Sequence, residues 1–95
     1  MNQDDGDFRS TLNPMQWGEL FGLAKLAEAT SIPDTTLRRV LLGMHQREPL
    51  LQLDRIASAT QAWCRLRPKV EGAPCSLAAW RFLWQRQHNL MAGER

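Results

Sequence analysis

The stretch LAKLAEATSIPDTTLRRV, residues 23–40, is the part of the chain from which its fold is best predicted. Its apolar residues recur at helical spacing on both sides of a short break, which predicts two short helices joined by a tight turn. The apolar residues that would close the two helices on each other are Leu26, Ala27, Ile32, Leu37 and Val40. Pro33 and Asp34 suit the start of the second helix, because the missing N–H of proline is no loss there and a carboxylate favours the positive helix end.

The outer side of the second helix carries polar side chains. The helical period commits Leu37, Val40 and Leu41 to the inner side. The residues left for the outer side are Asp34, Thr35, Thr36, Arg38 and Arg39. Arginine can bond guanine bidentately, and threonine can bond a base edge or touch a thymine methyl, so this helix has the chemistry for a DNA major groove. The alternative is that the threonines cap the helix and the arginines are solvated. We favour DNA recognition because both arginines share the exposed side with Thr35.

The length and composition indicate one small domain. At 95 residues with 43% hydrophobic content, the chain is large enough for a single modest core. No apolar run approaches the roughly 20 residues of a membrane span, and the acidic start is unlike a secretory signal. We therefore expect a cytoplasmic protein with no membrane partner.

Cysteine and histidine usage does not indicate an enzyme or a metal site. Cys64 and Cys75 have no metal-ligand spacing with His45 or His88. In a reducing compartment the two cysteines are expected to be free thiols rather than a structural disulfide. Neither histidine has a cysteine or serine nearby in a nucleophile setting, and no glycine-rich phosphate loop occurs. The sequence thus predicts no catalytic residue, no metal and no cofactor.

Charge is distributed unevenly along the chain. The net charge is +2, but residues 1–34 carry −4 and residues 35–95 carry +6. The positive part begins at the second helix of the predicted pair, which fits attraction to phosphates. Charge scattered over a solvated surface would account for the same totals equally well.

The order of motifs predicts an all-α protein, a compact domain of four to five helices. Residues 1–12 are acidic and polar, and we expect a disordered tail there. Residues 13–63 would form the main helical domain. Residues 64–75 are rich in basic residues, proline and glycine, which is typical of a linker. Residues 76–92 would form a C-terminal helix.

Capping residues mark the predicted helix ends. Asn13 is a good N-cap and Pro14 fits the first helical position after it. Gly22 stands where the first helix either ends or bends into the next. Gly43 is well placed for a left-handed cap after the second motif helix. Ser76 is a plausible N-cap for the last helix.

The last helix is apolar over a broad arc, which is more apolar surface than one face of a four-helix domain normally accepts. It either packs across the domain as a fifth helix or forms a homodimer seam. We favour the dimer, because proteins that read paired DNA half-sites are commonly two-fold dimers. The residues predicted at this dimer or partner interface are Leu77, Trp80, Leu83, Trp84 and Met91.

Two adjacent segments carry a family resemblance, GLAKLAEATSIPDTTLRRVLLG (residues 22–43) and EPLLQLDRIASAT (residues 48–60). They resemble the Cro/Xre-like helix-turn-helix proteins, which include phage repressors and the antidote proteins of toxin–antitoxin modules. The resemblance covers a little under half of the chain, and Gly43 matches the glycine that closes the recognition helix. The family usually has glycine in the turn where this chain has Ser31. Serine there must accept a costlier backbone angle or a slightly different turn.

The resemblance implies a transcriptional regulator, a repressor that occupies double-stranded operator DNA as a homodimer. By position, it assigns base reading to the second motif helix through Asp34, Thr35, Thr36, Arg38 and Arg39. It assigns contacts with the phosphate backbone to the following loop through His45, Gln46 and Arg47. Contacts of the second kind position a protein on DNA without specifying the sequence.

A second hypothesis is a protein-interaction module that keeps the same fold but binds another protein, as a phage-type inhibitor or anti-activator would. Its anchors would be Trp80 and Trp84 of the last helix, because aromatic residues are favoured at the centres of protein interfaces. A tight protein complex that forms without DNA would distinguish this hypothesis from the first.

Overall fold

A computed structural model describes residues 11–66 and 72–93, and within these ranges the chain is all-α. The five helices are α1 (Pro14–Phe21), α2 (Leu23–Thr30), α3 (Asp34–Leu41), α4 (Leu50–Leu66) and α5 (Leu77–Gly93). The Cα radius of gyration is 12.4 Å, which matches the value of about 12 Å expected for a compact domain of this length. The predicted all-α class and compact helical domain are therefore confirmed.

The first helix begins with a reciprocal cap. The backbone N–H of Gln16 donates to Asn13 Oδ1 at 2.8 Å, and the backbone N–H of Asn13 donates to Gln16 Oε1 at 2.9 Å. Pro14 occupies the first helical position, as predicted. Gly22 has a φ of +105°, a backbone angle that glycine adopts readily, and it separates α1 from α2. The two helices are thus distinct and do not form one bent helix.

The turn between α2 and α3 is stabilised from inside. The hydroxyl of Thr30 is buried, donates to Leu26 O at 2.6 Å and accepts from the backbone N–H of Ile32 at 3.3 Å. Ile32 is only 3% exposed, as expected of a residue that closes the two helices on each other. Pro33 has a ψ of +147°, which is extended rather than helical, so α3 begins one residue later than predicted, at Asp34.

Ser31 has left-handed backbone angles, with φ +60° and ψ +29°. Of the two alternatives for serine at this position, a costlier backbone angle or a different turn, the costlier angle is therefore the one present. Replacing Ser31 by glycine should stabilise the protein by about 0.5–1 kcal/mol, because the left-handed region disfavours a Cβ by about 1–2 kcal/mol and the greater chain entropy of glycine offsets part of that. Urea denaturation measures the change. Ser58→Gly is the matched control, since Ser58 is exposed within α4 and glycine there should lower stability. Equal losses of stability from Ser31→Gly and Ser58→Gly would contradict this prediction.

All five helices contribute to the core, and Trp80 is among its largest fully buried side chains. The fully or almost fully buried side chains include Leu26, Leu37, Val40, Leu41, Leu53, Ile56, Trp80, Leu83 and Trp84. The indole N–H of Trp80 donates to Thr60 Oγ1 at 3.0 Å, and that hydroxyl donates to Ile56 O at 2.9 Å. A buried polar pair is therefore satisfied in the middle of the apolar core.

The prediction that the centre of α5 forms an interface is wrong for three residues. Trp80 and Leu83 are 0% exposed and Trp84 is 1% exposed within this single chain. Leu77 is half-buried against the same core, and Met91 is 39% exposed. The broad apolar arc is used because α5 contacts both α1 and α4 and so needs two apolar sides.

The predicted linker joins two parts of one core. The helix α4 continues to Leu66, into the segment predicted as linker, and residues 67–71 lie outside the described ranges. Cys64 and Cys75 form a disulfide with Cα atoms 6.7 Å apart, so the expected free thiols are corrected. The sequence could not show this pairing, because it depends on the start of α5 returning to the end of α4. Ser76 is the N-cap of α5, accepting from the backbone N–H of Ala79 at 3.1 Å.

The predicted acidic tail falls mostly on residues 1–10, which lie outside the described residues. Its last part is folded: Leu12 packs against the core, and its carbonyl accepts from Arg86 Nη2 at 2.9 Å. None of the helices in the described ranges has the length and apolar character that a bilayer crossing requires.

Candidate nucleic-acid interface

The outer face of α3 is polar and open to solvent. Asp34, Thr35, Arg38 and Arg39 are exposed, and Thr36 is half-buried. The opposite face is fixed in the core by Leu37, Val40 and Leu41, each 0% exposed. The division of α3 into a buried and an exposed side therefore follows the helical period as predicted.

Asp34 and Arg38 form an ion pair along α3. Arg38 Nε lies 3.0 Å from Asp34 Oδ2, and the two side chains are 48% and 56% exposed. Pairs of this kind at the surface stabilise a helix by only about 0.3–0.5 kcal/mol. The main effect of the pair is positional, because the carboxylate accepts from Nε and leaves the terminal nitrogens of the guanidinium without a bond to it. The four-residue spacing that favours this pair is visible in the sequence.

Arg39 differs from Arg38 in its surroundings. Within residues 11–66 and 72–93 it has no hydrogen bond or ion pair, and its side chain is exposed. Its full positive charge is consequently available to an outside partner, whereas that of Arg38 is partly compensated by Asp34. The two neighbouring arginines therefore offer different chemistry on one helix face.

The loop after α3 begins at a glycine with a positive φ. Gly43 has a φ of +71°, and its N–H donates to Val40 O at 3.1 Å, which confirms it as the left-handed cap of α3. The next N–H, that of Met44, donates to Arg39 O at 3.1 Å. These bonds satisfy the last carbonyls of α3 and set the direction of the loop that follows.

The loop residues predicted to contact phosphate do not all face solvent. Gln46 and Arg47 are exposed, as such contacts require. His45 is half-buried, and its Nε2 is inaccessible and has no hydrogen-bond partner within the described ranges. The prediction for His45 is corrected, because this nitrogen faces inward and cannot reach a phosphate in this conformation.

Glu48 connects the loop to α5. Its carboxylate accepts two hydrogen bonds from Arg81, from Nε at 2.9 Å and from Nη2 at 3.1 Å. The hydrogen bond and the negative charge of Glu48 raise the pKa of Arg81 above its ordinary value. Arg81 therefore adds little free positive charge to this side of the molecule, where Arg39 and Arg47 are the exposed cations of α3 and its loop that no carboxylate in the described part of the chain compensates.

Comparison of the chain with protein-family models, with curated proteins and with solved structures finds no match in any of the three.

Proposed function

We propose that this protein binds double-stranded DNA through α3, as a sequence-specific transcriptional regulator of the repressor type. In this proposal α2 and α3 form a helix-turn-helix, and α3 is the helix that enters the major groove. One observation carries the proposal: α3 exposes Thr35, Arg38 and Arg39 on a face whose reverse side is completely buried. A groove about 12 Å wide admits an α-helix, and base recognition requires side chains that a rigid element holds in place.

Three charged groups on the exposed side of α3, those of Asp34, Arg38 and Arg39, suit different base edges. Arg39 can donate two parallel hydrogen bonds to O6 and N7 of guanine, the commonest specific contact in the major groove. Arg38 is oriented by Asp34 and offers its terminal nitrogens. The free oxygen of Asp34 can accept from the amino group of cytosine. We expect the recognised site to be rich in G·C pairs for this reason.

The loop after α3 supplies the positioning contacts. Arg47 and Gln46 are exposed directly after the cap of α3, where a phosphate backbone bordering the groove would pass. Each phosphate neutralised by an arginine releases counterions, so these contacts make affinity depend on salt. His45 is not part of this set.

A homodimer remains part of the proposal, but its surface cannot be formed by Trp80, Leu83 and Trp84, which are buried in the chain itself. Large apolar side chains that are more than half exposed include Leu20, Leu51 and Leu90. The burial of the two tryptophans also rules them out as anchors for the protein-interaction hypothesis. That hypothesis keeps its own test, a tight protein complex that forms without DNA.

The first experiment is selection from a randomised duplex library, followed by titration of the enriched site at two salt concentrations. Arg39→Ala should weaken binding to that site by about 1–3 kcal/mol and relax the preference at one base position, because a bidentate base contact is lost. Arg47→Ala should weaken binding to all sequences alike and reduce the salt slope by about 0.9. A two-fold repeat in the selected site would support the dimer.

Arg65→Ala is the matched control for charge. Arg65 is exposed near the far end of α4, roughly 20 Å along the helix from its start at Leu50. This variant loses the same charge as Arg39→Ala but should leave the base preference unchanged. If a folded sample enriches no sequence, or if Arg39→Ala and Arg65→Ala have equal effects, α3 is not a base-reading helix.

A further inference from the structure

An open cleft of about 250 Å³ lies between the loop after α3 and the last turns of α5. Two histidines and two methionines line it: Met44 and His45 from the loop, and His88 and Met91 from α5. Neither the sequence spacing nor the proposed DNA interface indicates this set, because residues 44–45 and 88–91 come together only in the folded chain. Imidazole and thioether groups are metal ligands, so the cleft raises the question of a bound cation.

The ring of His88 is held in the tautomer that a metal ligand needs. Its Nδ1 lies 3.0 Å from Gly43 O, and a carbonyl oxygen can only accept, so Nδ1 carries the hydrogen. The lone pair of the neutral ring is then on Nε2. The ring also stacks on Trp84 at a centroid distance of 4.6 Å and an interplanar angle of 11°, which fixes its plane. A histidine that donates its other N–H to a backbone carbonyl is the usual arrangement at metal sites.

The second histidine that lines the cleft also has a ring nitrogen without a partner among the described residues. Nε2 of His45 is buried and has no hydrogen-bond partner in the described part of the chain. A buried polar atom left without a partner destabilises the folded state, and coordination to a cation would remove that penalty. His45 is next to Met44, whose side chain is 50% exposed, and Met91 on α5 is 39% exposed. Because both side chains are exposed and line the cleft, both thioethers are free to change rotamer there.

The types of ligand select the ion. Thioethers are soft ligands that favour Cu(I), and imidazole binds copper as well, whereas Mg²⁺ and Ca²⁺ require oxygen ligands. No three side chains of the types His, Cys, Asp and Glu lie together among the described residues, so the usual ligand set of a structural zinc ion is not present there. Cu(I) is the cation that two imidazoles and two thioethers fit best.

We propose that this cleft binds one Cu(I) ion through Nε2 of His45 and of His88, with the sulfurs of Met44 and Met91 completing the site. Coordination uses the lone pairs of the imidazole nitrogens and of the thioether sulfurs, so no covalent bond breaks. The ion would link two parts of the chain, α5 and the loop that directly follows α3. This proposal does not rest on DNA binding and stands if DNA binding fails.

The test is a competition for Cu(I) against the coloured chelator bicinchoninate, without oxygen and with ascorbate as reductant. The disulfide must be intact, with no reactive thiol, because a free Cys64 or Cys75 would bind Cu(I) by itself. The protein should withdraw one equivalent of Cu(I). His45→Gln and His88→Gln should each weaken binding by roughly 10–100-fold or more. Zn(II) should bind more weakly than Cu(I) under the same conditions.

Methyl NMR gives a readout that does not depend on any variant. The terminal methyl signals of Met44 and Met91 should shift with one equivalent of Cu(I), and that of Met15, which packs against the core, should not. Met15→Leu is the matched control and should bind Cu(I) as the unmodified chain does. The proposal is overturned if no Cu(I) is withdrawn, if the methyls of Met44 and Met91 do not shift, or if a folded variant with both His→Gln changes binds as tightly.

Discussion

Replacement of Trp80 by alanine is expected to lower the free energy of unfolding by about 3–5 kcal/mol. Trp80 is 0% exposed, lies 6.5 Å from the ring of Phe21 and is among the largest fully buried side chains. Its removal leaves a large cavity and also leaves the hydroxyl of Thr60 without the N–H that donates to it. Denaturation by urea or guanidinium, followed by circular dichroism, measures this loss directly.

Trp63→Ala is the control for the Trp80 prediction. Trp63 is half-buried, with the Phe21 ring at 5.9 Å and Lys25 Nζ at 5.3 Å from its ring. Trp63→Ala should therefore lower the free energy of unfolding clearly less than Trp80→Ala. The hydrogen bond can be separated from the packing by Thr60→Val, which strands the indole N–H and should cost about 1–3 kcal/mol. If Trp80→Ala and Trp63→Ala lowered the free energy of unfolding by similar amounts, the packing of α5 would not be the main contribution to the core.

Gly43→Ala is expected to destabilise the protein by about 2–3 kcal/mol. One cause is the φ of +71°, which a residue with a Cβ adopts only with strain. The other is space: a Cβ at this position would lie 3.0 Å from the backbone N of His88 and 3.2 Å from its Cα. Backbone atoms of α5 cannot rotate away, so the loop and the helix would have to separate. Chemical denaturation gives the size of the effect.

Gly93→Ala makes the matched comparison. Gly93 ends α5, and a Cβ added there meets nothing within 4 Å. Its replacement by alanine should be neutral or stabilising by less than about 1 kcal/mol, because alanine is the better helix former. If Gly43→Ala were as stable as the unmodified chain, the close contact between Gly43 and the backbone of α5 would be contradicted.

The helices that were predicted well are those whose ends are marked locally. Asn13, Gly22 and Gly43 each stop or start a helix through their own backbone or side chain, and neighbouring residues are enough to identify them. The partner of α5 could not be predicted in this way. A helix with a broad apolar arc needs two neighbours, but the sequence does not say whether both come from the same chain. In the structure Trp80 and Trp84 are buried within the single chain, so α5 finds both of its neighbours, α1 and α4, in the same chain.

The residues of the candidate interface also differ in how far their orientation could be predicted from the sequence. The exposed face of α3 follows from the 3.6-residue period, so Thr35 and Arg39 could be placed from the sequence. The inward direction of His45 could not, because it depends on the contact between the loop and His88 on a distant helix. A loop residue has no periodic pattern from which its direction could be predicted.

The bond between Cys64 and Cys75 changes the covalent topology of the chain. The peptide backbone and the two sulfurs together close a ring, so α4 and α5 are joined by two independent routes. A protease that cut the backbone anywhere between these cysteines would release no fragment. The product would be one molecule, heavier by a single water, that separates into two peptides only after reduction.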